Sequence, residues 1–109
     1  MPVAGMPSRL SYGTVIDREA AIDDLTAEGL DVTEWRDDAG TVYDEHAHPH
    51  REVRIVLEGS MTIWIDDVEH ELGPGDRIEL EAMQRHSAEI GLGGCHYLAG
   101  SSRAGSDRR

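Results

Sequence analysis

The sequence predicts an all-β domain, a barrel or sandwich of short strands preceded by one short helix. Three observations carry this. From residue 30 to residue 99, apolar and polar residues alternate in short runs, the period of a half-buried strand. Turn signals separate those runs: Asp38-Ala39-Gly40, Glu58-Gly59, Asp66-Asp67, Gly73-Pro74-Gly75-Asp76 and Gly91-Leu92-Gly93-Gly94. Helical spacing of apolar residues is confined to one segment, residues 18–28.

Residues 1–16 show no clear period and are expected to form an arm or a lead strand. Asp17 suits a helix N-cap, because its carboxylate can accept from the free N–H groups of a first turn. Ala21, Ile22 and Leu25 then recur at near-helical spacing, and Gly29 supplies the left-handed residue that ends a helix, so a helix is predicted over 18–28. Strands are predicted at 30–35, 41–43, 52–57, 61–65, 68–72, 77–80, 86–90 and 95–99. Many short strands with close turns make a sandwich or barrel. Residues 101–109 (Ser-Ser-Arg-Ala-Gly-Ser-Asp-Arg-Arg) have almost nothing to bury and are expected to be a disordered tail. The folded domain is therefore expected over residues 17–100.

The chain of 109 residues is the size of one domain. Acidic residues outnumber basic ones by 22 to 10, giving a net charge of −12, and every basic residue is an arginine. A surface of that sign repels a phosphate backbone, so neither nucleic acid nor an anionic membrane surface is expected as a partner. The absence of lysine removes Schiff-base chemistry. No apolar run is long enough for a transmembrane helix. The N-terminus, Met1-Pro2-Val3-Ala4-Gly5, lacks the basic region and apolar run of a secretory signal, so a cytoplasmic location is expected. The single cysteine, Cys95, precludes a disulfide within the chain and reads as a small buried apolar residue of the last strand.

Chemistry concentrates in residues 40–59, GTVYDEHAHPHREVRIVLEG. Residues two apart on a strand share a face, so His46 and His48 project side by side and their imidazoles can converge on one ion. Pro49 interrupts the ladder, and the chain can turn there and return Glu52 to the same face. Two neutral imidazoles and a carboxylate form a facial set suited to one divalent ion: iron, manganese, zinc or nickel. His86, at the start of a later strand, is the candidate fourth ligand if an antiparallel neighbour brings it beside His48. Arg54 follows Glu52 by two, so regular pleating puts it on the metal side. There it either pairs with an interior acid or clamps a substrate carboxylate. His50 reads as a rim residue able to contact substrate.

Gly40, His46, His48, Glu52 and Gly59, at these spacings, resemble the first motif of the cupin superfamily, and Gly73-Pro74-Gly75-Asp76 through His86 resembles the second. By chance the five positions coincide in about three of ten thousand such chains. The sequence departs where the family has a proline and a glycine in the second motif: Glu81 and Met83 stand there. The resemblance spans residues 30–100 and is similar to small bacterial single-domain cupins. It implies a double-stranded β-helix, a jelly-roll barrel of two antiparallel sheets with the metal inside one end. It also implies a homodimer paired through sheet edges, with residues 3–15 able to supply an exchanged strand.

Three histidines and a glutamate leave up to two of six octahedral positions for water, dioxygen or a chelating substrate. The expected function is that of a metal-dependent enzyme, dioxygenase-like or isomerase-like, acting on a small organic molecule. The competing reading is a non-catalytic small-molecule-binding or sensory module in which the metal braces the fold or holds the ligand. Fold alone does not choose between them.

Overall fold

The computed structural model describes residues 16–102; the arm expected at 1–16 lies almost wholly outside them. One helix, α1 (Arg18–Ala27), precedes six strands: β1 (Leu30–Asp37), β2 (Val42–His46), β3 (Glu52–Ile65), β4 (Val68–Leu72), β5 (Arg77–Leu80) and β6 (His86–Ser102). The helix starts where its cap chemistry places it: the Asp17 side chain accepts from the Ala20 amide at 3.0 Å. It stops one residue before the expected end, with Gly29 at φ +84°. Its Ala21 and Leu25 are fully buried against Leu30, Val53, Ile55, Leu57 and Leu98. On the opposite face of the same strands lies the barrel interior, where Val56, Met61, Ile63, Leu72, Leu80, Ile90 and Tyr97 pack together. Pleating divides β3 between the two: Val53, Ile55 and Leu57 pack with the helix, while Glu52, Arg54 and Val56 alternate with them.

All pairing is antiparallel, in the order β1-β6-β3-β4, with β2 added to β6 and β5 to β3. The two long strands differ from expectation. Glu58-Gly59 and Gly91–Gly94 were expected to reverse the chain and separate pairs of short strands; instead β3 and β6 run through them. The register between β3 and β6 slips at Val56/Glu58 and again at Gly59/Met61, so these glycines sit at bulges. Gly59 (φ +80°) and Gly94 (φ +76°) bend the strands where they touch: a Cβ on Gly59 would lie 2.1 Å from the Gly94 carbonyl oxygen. Glycine is required there for close approach as well as for φ, and sequence reading mistakes that requirement for a turn. Each long strand thereby serves two pairings. The first half of β6 pairs with β2 and with residues 61–65 of β3; its second half pairs with β1 and with residues 52–59.

Other boundaries shift by smaller amounts. β2 extends to His46, and β1 to Asp37. β6 includes Ser101 and Ser102, which pair with Asp31 and Leu30, so ordered chain reaches two residues into the expected tail; the rest of that tail lies outside the described residues. Asp66 and Asp67, both at positive φ, form the tight β3–β4 hairpin that their sequence announces.

Candidate metal centre

His46 closes β2 and His86 opens β6, and the two are register partners across the ladder. The antiparallel neighbour of His86 across the ladder is His46, and the same pairing brings His86 beside His48, with ring centroids 5.2 Å apart. His48 follows in the turn before β3, where its carbonyl accepts from the Met83 amide at 2.6 Å. Met83 has φ +65°. Met83 thus holds a left-handed backbone that favours glycine, and its amide ties the loop before His86 to His48. The three rings gather with centroids 4.5–5.2 Å apart, and a ligand nitrogen from each lies within 4.8 Å of the others.

Hydrogen bonds orient two of these rings, His46 and His86, for coordination. His46 Nδ1 donates to the Asp44 carbonyl at 2.6 Å, and His86 Nδ1 to the Gln84 carbonyl at 3.0 Å. A carbonyl can only accept, so Nδ1 carries the proton and Nε2 keeps its lone pair. Nε2 of both His48 and His86 is buried without a hydrogen-bond partner. Burial lowers the pKa of His48, opposed by Glu52, and that of His86, opposed by the Gln84 carbonyl. Leaving such acceptors dry costs about 1–3 kcal/mol each. Protonation is disfavoured by the same burial, so a cation is the partner these donors fit.

Glu52 stands beside the cluster rather than in it. Its Oε1 is 3.5 Å from His48 Nε2, while Oε2 accepts from Arg54 Nε at 3.0 Å. Both residues are buried, at 7% and 8% exposure. Arg54 thus faces the cavity as pleating predicts, and its interior acid is Glu52. His50 stacks on His48 with centroids 5.5 Å apart and lines the cavity outside the three-histidine group.

The cavity holds about 430 Å³, and part of its wall comes from residues that sequence reading passed over. Tyr43 and Tyr97 both donate to Asp37 Oδ2, at 2.8 and 2.9 Å, and burial foremost raises both phenols above their ordinary range. Thr33 and Trp35 line the cavity from β1. Their signal was period-two spacing on a strand whose inner face could not be known without its partner. Two other residues lie elsewhere. His96 Nε2 meets Glu34, whose carboxyl is held down at about 2 by Arg18 first and His96 second. Cys95 is buried, and desolvation pushes its thiol up to about 12, so it is the inert residue expected.

The family profile for the cupin domain matches residues 33–91, and the chain belongs to that family. Its fold is the all-β cupin fold with one short helix. Among solved structures it is similar to an RmlC-like cupin from Shewanella frigidimarina (27% identity, TM-score 0.61, covering 72% of this chain and 70% of that one). It is likewise similar to KdgF from Halomonas sp. (21% identity, TM-score 0.61, 72% and 73%). Oxalate decarboxylase of Bacillus subtilis, a protein with Mn(II) centres, shares the fold at 22% identity and TM-score 0.63, with 68% of this chain covering 21% of that one. A comparison with curated protein sequences finds no match.

Proposed function

We propose that this cupin binds one divalent metal ion through His46, His48 and His86, with Glu52 as fourth ligand, and acts as a metal-dependent enzyme on a small organic molecule. The observation that carries this is the pair of buried, unpartnered Nε2 atoms on His48 and His86 facing a third imidazole. Glu52 Oε1 lies near enough to His48 Nε2 to join the same ion after a small side-chain rotation, with Oε2 still held by Arg54. A bound divalent ion supplies Lewis acidity, and iron or manganese adds redox chemistry, which suits dioxygenase-like or isomerase-like reactions. Around it, Arg54 and His50 contact the substrate, and the apolar body of the barrel limits water. A homodimer is part of this reading: among the described residues β1 pairs on one side only, and a bare edge favours a partner strand. The sequence-based expectation of a cytoplasmic location stands as part of the proposal. Among the described residues no helix is long and apolar enough to cross a membrane.

A non-catalytic binding role is the second reading. It is favoured by the two phenols: both donate to Asp37 and burial holds them protonated, which removes them as bases. The deciding experiment is elemental analysis of protein purified without added metal, beside His48→Ala and His86→Ala. One equivalent of metal, lost in both variants while they stay folded, supports the site. No metal even after reconstitution would overturn it. Turnover or oxygen uptake by the metal-loaded protein then separates enzyme from binding module.

A further inference from the structure

The cavity that the histidines line carries two further features, neither of them a member of the three-histidine group. The first is Arg54. It is 8% exposed, and one of its five N–H groups, that on Nε, reaches a carboxylate. One terminal nitrogen has only the Met61 sulfur, at 4.0 Å, and the guanidinium lies 5.8 Å from the centre of the Tyr97 ring. Neither terminal nitrogen has an oxygen acceptor among the described residues. A guanidinium that lines a cavity with its terminal nitrogens free of oxygen acceptors can take a ligand's carboxylate. The second feature is Trp35. It is the cross-strand partner of Tyr97, it lines the same cavity, and it is 47% exposed. Its indole is held in place: Nε1 donates to Thr33 Oγ1 at 2.9 Å, and that hydroxyl donates to the Ala99 carbonyl at 3.3 Å. An ordered aromatic face open to a cavity, joined by way of Tyr97 to an incompletely bonded arginine, is a recognition surface with an apolar part and an anion-binding part.

We propose that the ligand of this cavity is an organic carboxylate with a flat cyclic body, its carboxylate on the terminal nitrogens of Arg54 and its ring on the indole of Trp35. The planar guanidinium edge matches a carboxylate in two-pronged fashion, and an indole face gains most from a flat partner. This rests on the reading of the cavity as the functional site, and makes Trp35 the residue that sets ligand class.

The test is calorimetric titration of the full chain, zinc-loaded and chelator-treated, with benzoate, its neutral isostere benzamide, and acetate. Benzoate is expected to bind on the order of ten-fold tighter than either. Trp35→Leu is expected to collapse the preference for benzoate over acetate, and Arg54→Gln the preference for benzoate over benzamide. Equal binding of benzoate and benzamide to the unaltered chain overturns the proposal, as does a benzoate-to-acetate ratio unchanged in Trp35→Leu. The comparison of ligands on the unaltered chain decides the matter even if Arg54→Gln does not fold. Zinc content, measured on the same samples, separates the two readings. Discrimination among the ligands without zinc uptake sinks the metal site and supports the carboxylate site; one equivalent of zinc without discrimination sinks the carboxylate site alone.

Discussion

Replacing Glu52 by glutamine, with and without Arg54→Met, measures how much of the candidate site is held by one ion pair. Glu52 Oε2 and Arg54 Nε are 3.0 Å apart, and both residues are less than a tenth exposed. At an effective dielectric near 20 and a charge separation of about 4 Å, the gross attraction is about 4 kcal/mol. Removing one member of a buried pair commonly costs about 3–5 kcal/mol, because the survivor stays buried and uncompensated. Glutamine keeps an acceptor for Nε, so Glu52→Gln is expected to cost about 2–3 kcal/mol, a fall in Tm of roughly 10–20 °C for a domain this size. Arg54→Met strands the carboxylate instead. That carboxylate can turn to His48, 3.5 Å away, so the cost is expected to be smaller. The double variant removes both charges and should be more stable than the sum of the singles implies, by about 1.5 kcal/mol or more. Urea unfolding in chelator at pH 7 reads all four proteins. Additivity within about 0.5 kcal/mol would refute the pair as a structural element and leave Arg54 free for ligand alone.

Three further outcomes follow from the same geometry. Metal affinity should fall with pH: three ordinary imidazoles would together lose about a thousandfold between pH 7.5 and 5.5. His48 and His86 have lowered values, so the measured loss should be smaller than this ceiling. The sign for folding agrees: a neutral buried imidazole contributes fully above its ordinary value of 6.5, and that contribution is lost as pH falls through the lowered one. Metal binding unchanged at pH 4, followed by competition with a chromophoric chelator, would contradict histidine ligation. Gly59→Ala should destabilise by about 3 kcal/mol or more, since a methyl would meet the Gly94 backbone. Gly29→Ala, at φ +84° with nothing within 4 Å, should cost only the left-handed penalty of about 1 kcal/mol, and equal melting temperatures for the two would refute the crossing. Met83→Gly should stabilise by about 0.5–1 kcal/mol, because the side chain is exposed and its φ is +65°; a lower Tm would show that Met83 packs on the loop.

Local chemistry accounts for the features that were legible in the sequence. Asp17 and Gly29 bracket the helix because capping depends on a few neighbouring residues. His46 and His48 were recognisable because their spacing is a short-range pattern, His86 through the resemblance of its segment to the second motif, and Arg54 because strand pleat repeats every two residues. The error at Gly59 and Gly91–Gly94 has an equally physical origin: a glycine permits both a chain reversal and a close crossing of strands, and only the partner strand says which.

Tertiary structure alone decided the rest. The sequence by itself determined an all-β domain with one capped helix, an acidic surface and three histidines able to share an ion. Which histidine faces His86 across the ladder, and the meeting of Trp35, Tyr43 and Tyr97 around one cavity, depend on pairings between residues more than 60 positions apart on β1 and β6 and 40 apart on β2 and β6. Register between distant strands is set by the sum of packing on both faces, and no local pattern encodes it.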